Sequence, residues 1–481
     1  MGNNWKHISL ALVISLSYIF VSSWYIGDEK YILLLLPLAL LAFLFIFVKM
    51  DKALLLIVFL APLSVPLREY FPGIGTDMYL PTEPLLVFLT VLFFIKIFLD
   101  KSYHKSIFTH PVTLTIYFSI FWILVTSATS SLPAVSFKFL ASRIWFIVPF
   151  YFLLSILFKD KKNIKWFLGL YAAGLGFVII YTINKHLGYG LNDQEASNWV
   201  CSPFYNDHTS YGAALAMILF GIVPMMRGQY NSTFLKRFAQ ISFGVIIFAL
   251  VFSYSRAAWL SVVATLSVLG LVLLKIKFKW VFLIAVLTFG SGTFFYNDIL
   301  FALEKNQQDS SGDFNKHISS ITNITTDASN VERLNRWNSA IRLFKEKPVF
   351  GWGPGTYTFQ YAPFQYSKEK TIISTNFGDG GNAHSEYLGP LAESGILGPI
   401  YFLLIGIFSL LTGFRVYHNA IDEEMKWLAL FTTLGLITYL LHGFLNNFLD
   451  TDKLSVLFWG FIAILVSLDI KQKQQRSNKS A

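Results

Sequence analysis

The chain has 481 residues, of which 54% are hydrophobic and 14% charged, and its mean hydropathy is +0.55. So few charges cannot cover so much apolar surface in water, which excludes both an ordinary soluble domain and a disordered chain. A net charge of +10 would suggest nucleic acid in a soluble protein. In a membrane protein it reads instead as basic cytoplasmic loops, with no nucleic-acid partner.

Apolar runs near 20 residues predict about fourteen spans. In chain order they are 8–25, 31–48, 53–66, 83–99, 111–128, 140–158 and 166–184, then 210–226, 238–254, 257–275, 279–296, 394–414, 427–446 and 454–470. The first lacks a small-residue cleavage site and is followed at once by another span, so it reads as a retained helix. The third is short and carries Pro62 and Pro66, which suits a kinked or re-entrant segment. Only Ser255 and Arg256 separate 238–254 from 257–275. With a cytoplasmic N-terminus, about 21 Lys/Arg fall inside and about six in the short outside loops. That bias places both termini in the cytoplasm. The fold class expected is an all-α polytopic membrane protein of about 12–14 transmembrane helices. Its organisation reads as N-terminal helices (1–200), central helices (201–296), a large outer loop (297–383), C-terminal helices (384–470) and a basic tail (471–481). Cys201 is the only cysteine, so an internal disulfide and a cysteine metal cluster are excluded.

The outer loop is too long and polar for a bare connector. Ser329-Asn-Val-Glu332 reads as a capping box. Leu334, Trp337, Ile341 and Phe344 follow at helical spacing, and Pro348 closes the stretch, which predicts an amphipathic helix over about 330–346. Arg333, Arg336 and Arg342 share its polar side only partly, so they cannot all face one ligand. Gly351-Trp-Gly-Pro-Gly355 reads as a turn.

Chemistry is expected on the outer face. Asp379-Gly-Gly-Asn-Ala-His384-Ser385-Glu386 precedes the twelfth span, and a helix is expected to begin near His384. A helix N-terminus disfavours imidazolium, and neutral imidazole can take a proton from a hydroxyl. The bland alternative is a surface histidine beside a loop. Arg256 sits at the tight outer turn between two spans, where it either binds an anion or reaches lipid phosphates. Arg143, at the outer start of the sixth span, invites the same two readings, with lipid anchoring favoured. Arginine forks bind phosphate bidentately. Polyprenyl-diphosphate-linked glycans are the anionic donors available outside, where nucleotide sugars are absent. No cofactor is expected.

His384-Ser385 and, nine residues on, Gly395-Ile-Leu-Gly398 resemble the signature of the O-antigen ligase and polymerase superfamily. Arg256-Ala-Ala-Trp-Leu260 is similar to the R-x3-L element associated with its ligases. Glu332-Arg333, Trp337, Pro348 and Gly351–Gly355 resemble the family's large-loop region. The resemblance covers about 256–398 and implies a GT-C-like, metal-independent, inverting glycosyltransferase of the bacterial inner membrane, with its active site facing the periplasm. The implied donor is an undecaprenyl-diphosphate-linked glycan, and membrane lipid surrounds the site. By resemblance His384 is the general base, while Arg256 and Arg333 hold the diphosphate. Arg143, Arg336, Ser385 and Glu386 stand beside them as substrate-binding candidates. Gly389, Ala392, Gly395 and Gly398 are expected to serve close helix packing. A lipid A–core acceptor would make the protein a ligase, the favoured reading. A second lipid-linked glycan would make it a polymerase, and a protein hydroxyl an O-oligosaccharyltransferase. The rival class is a transporter of the same lipid-linked glycans. It is disfavoured by the absence of inverted-repeat symmetry and by inner span halves that read as nearly free of charge, apart from Lys96.

Overall fold

A computed structural model describes residues 2–27, 32–69, 78–99, 105–227, 232–276, 328–366 and 381–480. The protein is an all-α polytopic membrane protein, with ten described helices long and apolar enough to cross a membrane. The chain divides into two compact units, Met1–Leu54 and Leu55–Ala481.

In the first unit, α1 (Gly2–Gly27) is followed by α2 (Leu36–Val48), and the Tyr18 hydroxyl donates to the Leu33 carbonyl at 2.9 Å. Helix α3 (Met50–Leu60) stops where Pro62 removes an amide donor and the chain tightens into a 3-10 turn. Its 11 residues rise about 16 Å, roughly half the hydrocarbon thickness. Val65–Pro66 then pairs antiparallel with Tyr79–Leu80. The proline-bearing run at 53–66 is therefore a short helix and hairpin strand rather than a span.

The ten spanning helices all belong to the second unit. They are α4 (Thr82–Leu99), α5 (Pro111–Ala128), α6 (Pro133–Leu157), α7 (Lys161–Leu187) and α8 (His208–Met226), then α9 (Thr233–Val251) and α10 (Arg256–Leu273). Beyond the loop helix α11 (Ala328–Glu346) and the short α12 (Leu388–Ser394) come α13 (Leu397–His418), α14 (Glu423–His442) and α15 (Asp452–Ser480). Each spanning helix coincides with a predicted apolar run. The run at 279–296 lies outside the described residues.

Burial sorts these helices. It reaches 94% for α15, 89% for α8 and 72% for α14, against 22% for α9 and 17% for α10. The first three form the centre, and the last two present apolar side chains to lipid. Small residues let the central helices approach closely: a Cβ on Gly221 of α8 would stand 2.7 Å from the Phe461 ring.

Buried polar clusters sit at both ends of α15, and the one at Asp469 departs from the nearly charge-free inner span halves read from the sequence. At the His384 end, Lys453 donates to the Ser64 carbonyl at 2.8 Å and lies 3.6 Å from Asp452, which also accepts from Thr82. At the opposite end Asp469 accepts from Arg415 at 2.9 Å and Lys473 at 2.8 Å, and meets His110 at 3.3 Å. A charge in lipid is tolerated only with such partners. The basic tail continues α15 helically, and Arg476 donates to the Asn419 carbonyl at 3.0 Å.

Candidate active site

The loop helix α11 forms where the amphipathic pattern predicts it. It starts at Ala328, ahead of Ser329, and Glu332 pairs with Arg336 at 2.9 Å, so the expected capping box is replaced by an i,i+4 ion pair. Its apolar face, Ala340 and Leu343, packs with Tyr357, Tyr361, Ala383 and Ala392. Trp352 N–H donates to Ala392 at 3.1 Å, Gly353 to Glu393 at 2.8 Å, and Ile396 to Pro348 at 3.0 Å. These bonds clasp the joint between α12 and α13. Gly351 (φ 68°) and Gly395 (φ 67°) interlock there: a Cβ on Gly351 would stand 2.6 Å from the Ser394 nitrogen, and one on Gly395 2.7 Å from the Pro348 carbonyl. Gly395 thus breaks the helix rather than packing along one. Gly398 does pack closely, against the Pro390 carbonyl, whereas a Cβ on Gly389 would make only an ordinary contact with Ala383 at 3.7 Å.

The helix after His384 begins at Leu388, not at His384 itself. His384 occupies a left-handed turn (φ 46°), and its N–H donates to the Asn382 side chain at 3.0 Å. Ser385 Oγ accepts from the Tyr387 and Leu388 amides at 3.2 and 3.3 Å and starts the helix. Glu386 is buried, and its Oε1 accepts from Tyr439 Oη at 2.6 Å, Phe448 N–H at 3.0 Å and Leu449 N–H at 3.1 Å. The two residues after His384 therefore lock its turn to α12 and to the segment after α14.

Arg336, only 6% exposed, lies on the other side of that turn. It donates to the Asn382 carbonyl at 3.2 Å and lies 5.1 Å from the Tyr361 ring centre. A side chain on Gly381 would collide with its guanidinium. Arg342 faces elsewhere, donating to the Phe364 carbonyl at 2.7 Å. The three loop arginines thus part company, as their helical spacing requires.

Arg333 is one position short of a turn from Arg336 and points into a charged cluster. Burial pushes its pKa down, and the Asp207 carboxylate opposes that. The His384 imidazole is lowered to about 4, first by burial, then by Arg336 and Arg333, with Asp207 and Glu332 opposing. It is neutral at physiological pH, as expected, but burial and arginines hold it so where a helix dipole was anticipated. Arg333 and Arg256 lie within each other's field, as do His208 and both arginines. The structure thus gathers His384, Arg333 and Arg256 at one end of the bundle.

Sequence reading missed Asp207, His208 and His442 in this cluster. Asp207 Oδ1 accepts from Ser210 N–H at 2.7 Å and Thr209 Oγ1 at 2.8 Å, capping α8. Burial opposes its charge, but these bonds outweigh it and hold the carboxyl below its usual range. His442 ends α14, 3.1 Å from Asn446, within the field of Arg333 and Asp207. An aspartate at the start of an apolar run is a readable N-cap, but nothing local marks it as a neighbour of Arg333. Cys201, just before this segment, is fully buried, and burial, with Asp207 adding to it, pushes its thiol up to about 12.

Arg143 stands apart from the His384 cluster. It donates to the Leu449 carbonyl at 2.7 Å and to Asp450 at 2.6 Å. With Glu386 and Glu393 it lines a largely apolar groove that includes Trp122, Tyr401 and Phe402. Burial raises the Glu393 carboxyl to about 7, against amide bonds from Tyr357 and Gly355.

Residues 241–403 match a family described as O-antigen ligase. The matched segment holds Arg256, Arg333, Arg336 and His384, and excludes Arg143, Asp207, His208 and His442. The chain is also similar to an uncharacterised protein of Haemophilus influenzae, 25% identical over 254 residues, which are 51% of this chain and 60% of that protein.

Proposed function

We propose that the protein, whose residues 241–403 match a family described as O-antigen ligase, transfers a glycan from undecaprenyl diphosphate to an acceptor hydroxyl, on a lipid A–core sugar. The reaction takes place on the periplasmic side of the bacterial inner membrane. The observation that carries this reading is the meeting of a neutral, partly buried His384 with Arg333, and of Arg333 with Arg256.

In the reaction the acceptor oxygen forms a bond to the anomeric carbon as the bond from that carbon to the diphosphate breaks. Attack from the face opposite the leaving group inverts the configuration. His384 takes the hydroxyl proton. Arg256 and Arg333 neutralise the departing diphosphate, so no metal is required. The arginines also regulate the base. In the free protein Arg336 and Arg333 depress its basicity. A bound diphosphate cancels part of that positive field, raising the imidazole pKa when the donor is in place. The apolar groove beside Arg143 suits a lipid chain running into the bilayer.

The test is reconstitution with one lipid-linked glycan and three acceptors: lipid A–core, a second lipid-linked glycan, and a protein. Transfer to lipid A–core is expected. His384→Ala should reduce it by more than about 10²-fold while membrane insertion is unchanged. Normal transfer by that variant would refute the mechanism. Movement of donor across the bilayer without a new glycosidic bond would make the protein a transporter.

A further inference from the structure

Buried polar atoms that lack hydrogen-bond partners usually mark a missing guest or water. Three such atoms, with no partner among the described residues, are His208 Nδ1, Ser255 Oγ and Trp337 Nε1. Their placement is not scattered. Gly212 of α8 lies so close to the turn before α10 that its Cβ would stand 2.6 Å from Ser255 Cβ and 3.1 Å from Ala258 Cβ. His208 is one helical turn before Gly212 on the same face, which brings it beside Ser255 and Arg256. Its electrostatic neighbours are Asp207, Arg333 and Arg256. Trp337 follows Arg333 by four residues on α11, hence on the same face.

The chemistry of these groups converges. An indole N–H only donates, a serine hydroxyl donates, and a neutral imidazole has one N–H to give. With two guanidiniums beside them, and with Asp207 Oδ1 already accepting from Ser210 N–H and Thr209 Oγ1, they form a cradle with more donors than acceptors. A guest rich in anionic oxygens supplies those acceptors. Ser255 is completely buried, so bulk water does not serve it directly.

We propose that His208 is a further diphosphate-binding residue, donating an N–H to a non-bridging phosphate oxygen, with Ser255 and Trp337 completing the cradle around Arg256 and Arg333. This rests on the donor being a polyprenyl diphosphate. Asp207 is a positioning residue here. It caps the helix that carries His208, and its carboxylate faces Arg333. The cradle selects a diphosphate over a monophosphate because it has more donors than one phosphoryl group can satisfy.

The full-length protein in nanodiscs is titrated with undecaprenyl diphosphate and, separately, undecaprenyl phosphate. Wild type is expected to prefer the diphosphate. His208→Ala should weaken diphosphate binding about tenfold or more and monophosphate binding much less, with unchanged thermal unfolding. His208→Gln keeps an N–H donor and should recover most of the loss. If wild type prefers the diphosphate and His208→Ala keeps full affinity, or loses both ligands equally, the assignment is overturned alone. If wild type shows no preference, the donor reading falls and this assignment with it.

Discussion

At the scale of single residues, His384 shows how function is written into neighbours. Its own turn is held by Asn382, and Arg336 holds Asn382 through the backbone carbonyl. The same guanidinium helps depress the imidazole to about 4. Two outcomes follow. First, in the proposed reaction a base must be unprotonated, so kcat/KM, which reports the free protein, should stay flat on lowering pH until about 4. The acid limb of kcat, which reports the donor complex, should lie at higher pH, because the diphosphate offsets the arginines. Coincident limbs would argue against donor-coupled activation. Second, Arg336→Ala removes a depressing charge and the clamp on Gly381-Asn382. It should move the kcat/KM limb upward and lower kcat about tenfold or more, whereas a merely structural defect would lower activity without moving the limb.

At the scale of elements, the joint between α12 and α13 governs the site. Gly395 breaks what the hydropathy presents as one run into two helices, and the Pro348–Gly353 turn clasps the break. Gly395→Ala imposes a strained left-handed backbone and a collision with Val349 and Pro348. A loss on the order of 1–3 kcal/mol is expected, read as a lower melting temperature in detergent, with reduced transfer. Gly389→Ala, whose Cβ meets only Ala383 at 3.7 Å, should be milder. Here the sequence is legible up to a point. Apolar length identifies all ten spanning helices, and helical spacing identifies α11. The start of α12 is misjudged by four residues, because His384 takes a left-handed turn and helical backbone begins only at Leu388. The break at Gly395 depends on a contact with residues nearly fifty positions earlier, which no local pattern encodes. Asp207 and His208 lie still further from Arg333 in sequence, and only the tertiary fold brings them near. Glu386 reads as a substrate-binding candidate from its place in the motif, yet its Oε1 accepts from Tyr439 and two backbone amides.

At the scale of the whole molecule, charge sorts by role. Exposed basic groups gather at the end opposite His384, at Lys162, Lys473 and Arg476, where surface pairs such as Lys426–Glu423 contribute little to stability. Buried ion pairs sit at both ends, but the cluster of buried arginine and histidine side chains lies at the His384 end. In the proposed orientation the first end is cytoplasmic, in keeping with the positive-inside pattern. A cysteine placed at exposed Asn338 on α11 should therefore be labelled by a membrane-impermeant maleimide in intact cells, and one at exposed Asn478 only after permeabilisation. The reverse pattern would invert the proposed orientation. The experiment is unusually clean because of Cys201. Thiolates attack maleimides, and this thiol is both sealed from solvent and, with its pKa near 12, scarcely ionised at neutral pH. Evolution has left the natural chain as a silent background for thiol chemistry. Reporter cysteines can be introduced one at a time into the unaltered protein, and every signal will come from the position chosen.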